Sequence, residues 1–477
     1  MKKIVQKNKY LLLTITFIII AFLIFGLNSF HNNIWYDEAH QMLLNRLSII
    51  DIIKESQHDT SAPLYPIILK IVTSIFGSSL PVARLTSFGI FSIIFILSFY
   101  PIRRLYNLKT SIVFSILMLI STMSSFASIE IRTYSLSLIG TLGATVYSLL
   151  YLKENKLSDL IKYMFFSLIA LYTHVYAMLS ILLLIIMTTI ISLLKKKGRK
   201  IIISNILLIL LFVPWLNVIL NSQRQRVEAE FWVTPPTLNT LFTSIKEVLS
   251  KELVISIILL LLLLTCIIIS IIKKKELKSI LYLLIPSIGC LAIFYIWSIY
   301  KTPLFVYKYI VPVCGIIYLI MARILTNNKI ITPSIIFIIL LIPNFIDNYK
   351  YEKRLLYDTE TYKMIEYVNH IPKEERAFYN TFEFGLGISE YYFPNSKHYI
   401  KQDSNISLTG PNIFGELITN KIIKEKYIIV YGRVGEPEYN FIELFNQGYF
   451  ILDSQTFYNE YNSGCTIYIL ENYINKE

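Results

Sequence analysis

Long apolar runs separated by short basic clusters constrain this chain more than any other feature. Inside a bilayer every backbone polar group must be satisfied within its own segment, so such runs have to be helices. A spanning helix takes about 20 apolar residues. Candidate spans read at residues 10–30, 86–102, 110–127, 134–152, 160–173, 176–194, 201–220, 253–272, 279–299, 304–322 and 330–346, eleven in all. The stretch 63–76 is shorter and carries Lys70, so it reads as an interfacial or re-entrant helix.

Charge tests that count. The basic connectors are Lys2/Lys3/Lys7/Lys9, Arg103/Arg104/Lys109, Lys153/Lys156/Lys162, Lys195/Lys196/Lys197/Arg199/Lys200, Lys273/Lys274/Lys275/Lys278 and Arg323/Lys329. With eleven spans all of them fall on one side, which the positive-inside rule makes the cytoplasm. Residues 160–194 are short for two spans. The polar break at Tyr172-Thr173-His174 and the basic flanks favour two short spans, and a re-entrant pair would give the same sidedness. The opposite, outer side then receives a first loop at 31–85, a large loop at 221–252, and everything after 346.

Composition agrees. Of 477 residues, 55% are hydrophobic and 16% charged, with a mean hydropathy of +0.56; soluble proteins carry about 25% charge. The net charge of +13 sits mostly in the short connectors and needs no nucleic acid to explain it. No zinc-finger, homeodomain or RNA-binding signature accompanies it. The four cysteines, Cys266, Cys290, Cys314 and Cys465, have neither disulfide-framework nor metal-site spacing. The N-terminal run is too long for a signal-peptide core and lacks a cleavage site, so an uncleaved anchor is expected. Abundant Lys, Ile and Asn point to a low-GC bacterium.

Residues 347–477 change character, with more charge and shorter apolar runs. Residues 360–370 have helical periodicity; 427–431, 449–452 and 466–470 read as buried strands between turns. A small outer α/β domain is expected at 347–477, after a membrane domain at 1–346. No transporter-like internal repeat is visible.

The outer polar residues each carry two readings. Asp37 and Glu38 follow the first span; they are either an acidic helix start suited to the macrodipole or a base and its partner, since neighbours on a helix point about 100° apart. Glu130, Arg132 and Tyr134 share a very short loop, as a structural ion pair or as a phosphate fork. His174 is an interfacial hydrogen-bonding residue or a donor to a phosphate or sugar. Arg224 and Arg226 contact lipid headgroups or a substrate phosphate. Lys308 either snorkels or neutralises a lipid-linked phosphate.

The order of these pieces is specific: Asp37-Glu38-Ala39, Asp59, Pro63-Leu64-Tyr65, Phe76-Gly77, Arg84-Leu85-x-Ser87, Glu130-x-Arg132-x-Tyr134, His174, Pro214-Trp215 and Lys308-Tyr309. Over roughly residues 1–320 the chain resembles the GT-C glycosyltransferases of the family-39-like group, related to protein O-mannosyltransferases and bacterial aminoarabinose transferase. The resemblance implies a GT-C-like polytopic α-helical membrane protein with about eleven transmembrane helices and a small extracytoplasmic α/β C-terminal domain. It implies inverting transfer of a sugar from a polyprenyl-phosphate carrier to a lipid, polymer or protein acceptor on the outer face of the plasma membrane. Asp37 would be the base and Glu38 its positioning partner. Asp59, Glu130, Arg132, Tyr134, His174, Arg224, Arg226 and Lys308 would bind substrate. Two departures stand out: Ser61-Ala62 replaces the group's usual His-Pro before Pro63-Leu64-Tyr65, and Lys308-Tyr309 replaces Arg-Tyr, keeping the charge without the bidentate fork.

Two rival functions remain open. A flippase or transporter of lipid-linked glycans usually keeps its ionisable residues near the bilayer midplane, whereas these lie at outer helix ends. An envelope-polymer ligase or polymerase would share the outer location but take a diphosphate-linked oligosaccharide. Nucleotide sugars are made on the wrong side for this site. No cofactor is expected, and the scattered ligands give no support for a divalent metal.

Overall fold

The computed structural model describes residues 2–58, 62–195, 198–227, 235–250, 252–272, 277–326, 332–357, 360–380, 383–400, 417–418, 422–433, 441–458 and 464–473. The chain divides into two compact units: Met1–Ser29 with Thr60–Glu352, and Phe30–Asp59 with Lys353–Glu477.

The first unit is a helical membrane bundle. Among the described residues six helices are long and apolar enough to cross a bilayer: Leu80–Leu105, Tyr134–Glu154, Val175–Leu194, Arg199–Asn221, Lys278–Tyr300 and Tyr307–Thr326. Two bent pairs bring this to eight if each is one span. The sequence reading of eleven is therefore not reached among these residues. Asn8–Ile24 and Leu64–Phe76 are shorter apolar helices, and the 160–173 run forms a helix of only 15 residues, Leu157–Leu171.

The run at 110–127, read as one span, is broken. Leu108–Ile120 and Thr122–Ile129 meet at 74°. Ser121 sits at the break in an extended conformation, and its hydroxyl accepts from the Ser124 amide, capping the second helix. A second bent pair, Leu238–Leu249 and Leu253–Thr265, meets at 77°. Its first member ends against the first break: the Thr122 hydroxyl donates to Glu247 O at 2.5 Å and the Tyr318 hydroxyl to Val248 O at 2.9 Å. Side chains thus satisfy carbonyls that a helix end leaves open. Two short π-helical stretches, Ser98–Ile102 with Pro101 and Ile285–Gly289 with Pro286, lie where proline removes an amide donor.

The Tyr134–Glu154 and Tyr307–Thr326 helices form the buried centre. Small residues allow close approach: a Cβ on Gly140 would lie 2.9 Å from the Ala170 backbone nitrogen, and one on Gly315 would lie 3.1 Å from Leu138. Buried hydroxyls and amides join the helices. The Tyr282 hydroxyl donates to Ser148 at 2.8 Å, and the Asn205 amide donates to Thr188 at 2.9 Å while its carbonyl accepts from Tyr163 at 2.8 Å.

One end of the bundle is basic. Arg104 pairs with Glu154 and Asp159, Lys153 donates to Leu105 O, Tyr106 bonds Ser279, and the Arg323 guanidinium lies 4.8 Å from the Tyr106 ring centroid. Within this unit Tyr65, Ser87, the Glu130–Tyr134 turn, His174 and Tyr309 gather at the other end.

The second unit is a three-layer α/β domain. Its strands are β1 (Arg376–Asn380), β2 (His398–Ile400), β3 (Leu417–Ile418), β4 (Tyr427–Arg433), β5 (Tyr449–Tyr458) and β6 (Gly464–Asn472). They form one sheet in the order β3-β2-β1-β4-β6-β5. The β3, β2, β1 and β4 strands run parallel, while β6 is antiparallel to β4 and β5. Side chains alternate between faces. Ala377, Tyr379, Ile428, Val430 and Leu470 pack with Phe441 and Leu444; Phe378, Ile429, Ile467 and Ile469 pack with Met364 and Val368 of the Glu360–Asn369 helix. The three strands read from sequence are β4, β5 and β6. Two short helices of the 31–58 segment, Tyr36–Leu44 and Ile49–Glu55, belong to this unit, and the first packs on the Glu383–Tyr392 helix.

Candidate active site

The separate motifs of the first unit converge on one another. Tyr65 is fully buried at the start of Leu64–Phe76, and its hydroxyl lies 2.6 Å from that of Ser87. Ser87 in turn donates to Glu130 O at 2.6 Å, and the same carbonyl accepts from the Arg132 amide at 2.7 Å. The Pro-Leu-Tyr and Arg-Leu-x-Ser motifs therefore hold the Glu130–Arg132 turn by a two-bond chain. The Glu130 side chain is buried and that of Arg132 is partly exposed. Immediately after it, the Thr133 and Ser135 hydroxyls are buried without a hydrogen-bond partner among the described residues. They flank Tyr134, which starts the central helix.

Tyr134 leads to His174. His174 caps the Val175–Leu194 helix, its Nδ1 accepting from the Tyr176 amide at 3.2 Å. That bond places the proton of the neutral ring on Nε2. Three tyrosine rings surround the imidazole: Tyr134 at 5.9 Å, Tyr176 at 5.7 Å and Tyr309 at 4.8 Å between centroids. Tyr176 is fixed by stacking on Phe294 at 3.9 Å and by donating to Leu304 O at 3.0 Å. Tyr309 belongs to the helical turn Tyr307–Ile310, which also carries half-buried Lys308; the ammonium lies 5.8 Å from the Tyr309 centroid. The Ala62 amide donates to Thr173 O at 2.7 Å, joining the Pro63 motif to the same break.

Asp37 and Glu38 lie in the second unit, in the first turn of Tyr36–Leu44. Asp37 is half-buried and Glu38 is buried at 4% exposure. The N-cap residue Trp35 supplies no side-chain bond to the helix start. Gln41, one turn on, is buried, and its Nε2 has no hydrogen-bond partner among the described residues. Sequence reasoning missed Gln41, although its i+4 spacing from Asp37 was the available signal. It also passed over Tyr176, whose ring position only the fold shows.

Two expectations fall outside this geometry. Asp59 lies outside the described residues, and the Arg224 and Arg226 side chains lie outside them too, although their backbone continues the Arg199–Val227 helix. Among the described residues no three His, Cys, Asp or Glu side chains come together as a metal site.

No family model matches the sequence, and no curated protein matches it. Solved structures do match. The aminoarabinose transferase ArnT from Cupriavidus metallidurans, crystallised bound to undecaprenyl phosphate, aligns with a TM-score of 0.64 at 10% identity over 96% of this chain and 98% of that one. Its apo form aligns with the same score and identity over 95% and 97%. The chain is a multi-pass membrane protein with the GT-C fold seen in ArnT.

Proposed function

We propose that this protein is an inverting glycosyltransferase that moves a sugar from a polyprenyl-phosphate carrier to an acceptor outside the cytoplasmic membrane. The observation that carries this reading is the match over nearly the whole length to ArnT, solved with undecaprenyl phosphate. The converging motif residues support it.

The chemistry assigns roles. Asp37 takes the proton of the acceptor hydroxyl as its oxygen attacks the anomeric carbon. The bond from that carbon to the carrier oxygen breaks, and its electron pair stays with the lipid phosphate. Arg132 and Lys308 counter the charge that grows there, and Arg224 and Arg226 serve the same purpose at the large outer loop. The Nε2–H of His174 and the hydroxyls around Tyr134 are suited to sugar or phosphate oxygens. Glu38 orients Asp37. None of these steps requires a metal. In this reading the basic bundle end faces the cytoplasm, while the motif end and the α/β domain face outward. The acceptor is an envelope lipid, wall polymer or protein.

Comparing envelope glycans from cells with and without the protein, by mass, tests the proposal. One missing monosaccharide, with its polyprenyl-phosphate donor accumulating, supports it. Unchanged glycans with a lipid-linked glycan trapped on the inner leaflet would indicate a flippase instead.

A further inference from the structure

The acid-bearing helix Tyr36–Leu44 is held at both ends by one helix of the C-terminal domain. At its entry the Tyr392 hydroxyl donates to Asn32 O at 3.0 Å and accepts from the Ile34 amide at 3.1 Å. Between them, Asn33 Oδ1 accepts from the Thr361 hydroxyl at 2.7 Å. Just past its exit, Arg46 donates to Glu390 Oε1 at 3.0 Å. Glu390 Oε2 lies 2.9 Å from His398 Nε2.

His398 is itself locked. It is buried, stacks on Phe378 with centroids 5.4 Å apart, and has Asn380 Nδ2 at 3.3 Å from its Nδ1. An amide can only donate there, so the neutral ring carries its proton on Nε2 and gives it to Glu390. The result is a chain from the β1 and β2 strands through a buried carboxylate to Arg46. Neither Arg46 nor Glu390 is needed to complete the α/β core, whose two hydrophobic clusters form without them.

We infer that the C-terminal domain is a positioning element for the Asp37 base. Tyr392 fixes where the helix begins, and the His398–Glu390–Arg46 chain fixes where it ends. These are positioning residues, since they act through the helix. The inference rests on the transferase reading above. It explains why an outer α/β domain follows a membrane enzyme. A base displaced by about 1 Å loses as much as 100-fold in rate without losing substrate affinity.

The test uses the full-length protein in phosphatidylglycerol nanodiscs with the variants Tyr392→Phe, Glu390→Gln and Arg46→Lys. Glu443→Gln is the control; it weakens the Tyr379–Glu443 bond of the same domain, away from the clasp. Two readouts are taken: kcat and donor KM per folded molecule, and hydrogen exchange of the 36–44 amides. In Tyr392→Phe and Glu390→Gln we expect kcat to fall about tenfold with KM within about twofold, and the helix amides to exchange about tenfold faster. Arg46→Lys should keep most of the activity, because the charge that reaches Glu390 is retained. The control should move neither readout. Unchanged exchange, or faster exchange with unchanged kcat, overturns the inference. A wild-type protein that turns over no polyprenyl-phosphate sugar would remove the transferase reading, and the exchange data would still decide the clasp.

Discussion

Ser87 offers a sharp test of how the motif end is built. Its hydroxyl donates to Glu130 O and accepts from Tyr65, and Ser87 and Tyr65 are fully buried. Ser87→Ala removes both bonds, while the Glu130 carbonyl keeps the Arg132 amide. Hydrogen bonds inside bilayers average only about 0.6 kcal/mol each. The expected loss of the two bonds is about 1–2 kcal/mol. Tyr65→Phe removes the bond to Ser87, while Ser87 still donates to Glu130; it should cost about 1 kcal/mol. Both single variants lose the same Tyr65–Ser87 bond, so the cost of the double variant should fall short of the sum by about that bond's worth, ~0.6 kcal/mol. Steric-trapping or SDS-titrated unfolding in bicelles reads these values. Donor KM should rise more in Ser87→Ala than in Tyr65→Phe, because the Arg132 turn is released. Additive costs within about 0.3 kcal/mol, or Tyr65→Phe the more damaging variant, would refute the chain as drawn.

Other expectations follow from the same geometry. Gly140→Ala should destabilise the bundle by about 1–3 kcal/mol, because the added Cβ meets the Ala170 backbone, which cannot rotate away; unchanged unfolding would contradict the close crossing. Burial raises the Glu425 carboxyl, but the bonds from Lys397 and Tyr399 outweigh it and leave its pKa below the ordinary value. Its stabilising contribution is therefore present above the unfolded pKa and fades as pH falls through the lowered folded one. Lys397→Met should weaken the α/β domain at neutral pH and flatten that acid dependence, read by hydrogen exchange of β4 against pH. Transfer should survive excess EDTA; a rate lost on chelation and restored by a divalent ion would return metal chemistry to the mechanism.

Much of this architecture was legible because bilayers permit few solutions. Apolar runs and basic connectors identified a polytopic helical protein, and short buried apolar runs between turns marked β4, β5 and β6. The break at Ser121 was hidden inside an apolar run, since it depends on Tyr318 and Thr122 reaching the end of the distant Leu238–Leu249 helix. Strands β1 and β2 were too short and too mixed to stand out. At the site, the ordered motifs picked out Tyr134, His174 and Lys308, and the fold brings Tyr134, His174 and the Lys308 turn to one bundle end. What order could not show was which motif residues act through others. Tyr65 and Ser87 prove to hold a backbone carbonyl. The placement of the 31–58 segment with the α/β domain rests on Tyr392 and Glu390, far along the chain, which no local pattern links to Asp37.

The most direct test of the account is the release of polyprenyl phosphate by purified protein from a panel of undecaprenyl-phosphate monosaccharides, with and without Asp37→Asn. The asparagine variant keeps the size of the side chain and loses the base. It should insert and fold as the wild type does, bind the donor with similar affinity, and lose about 10²–10⁴-fold in transfer rate. Wild-type rates from the variant would contradict the assignment of Asp37, and no turnover of any such donor by the wild type would contradict the function itself.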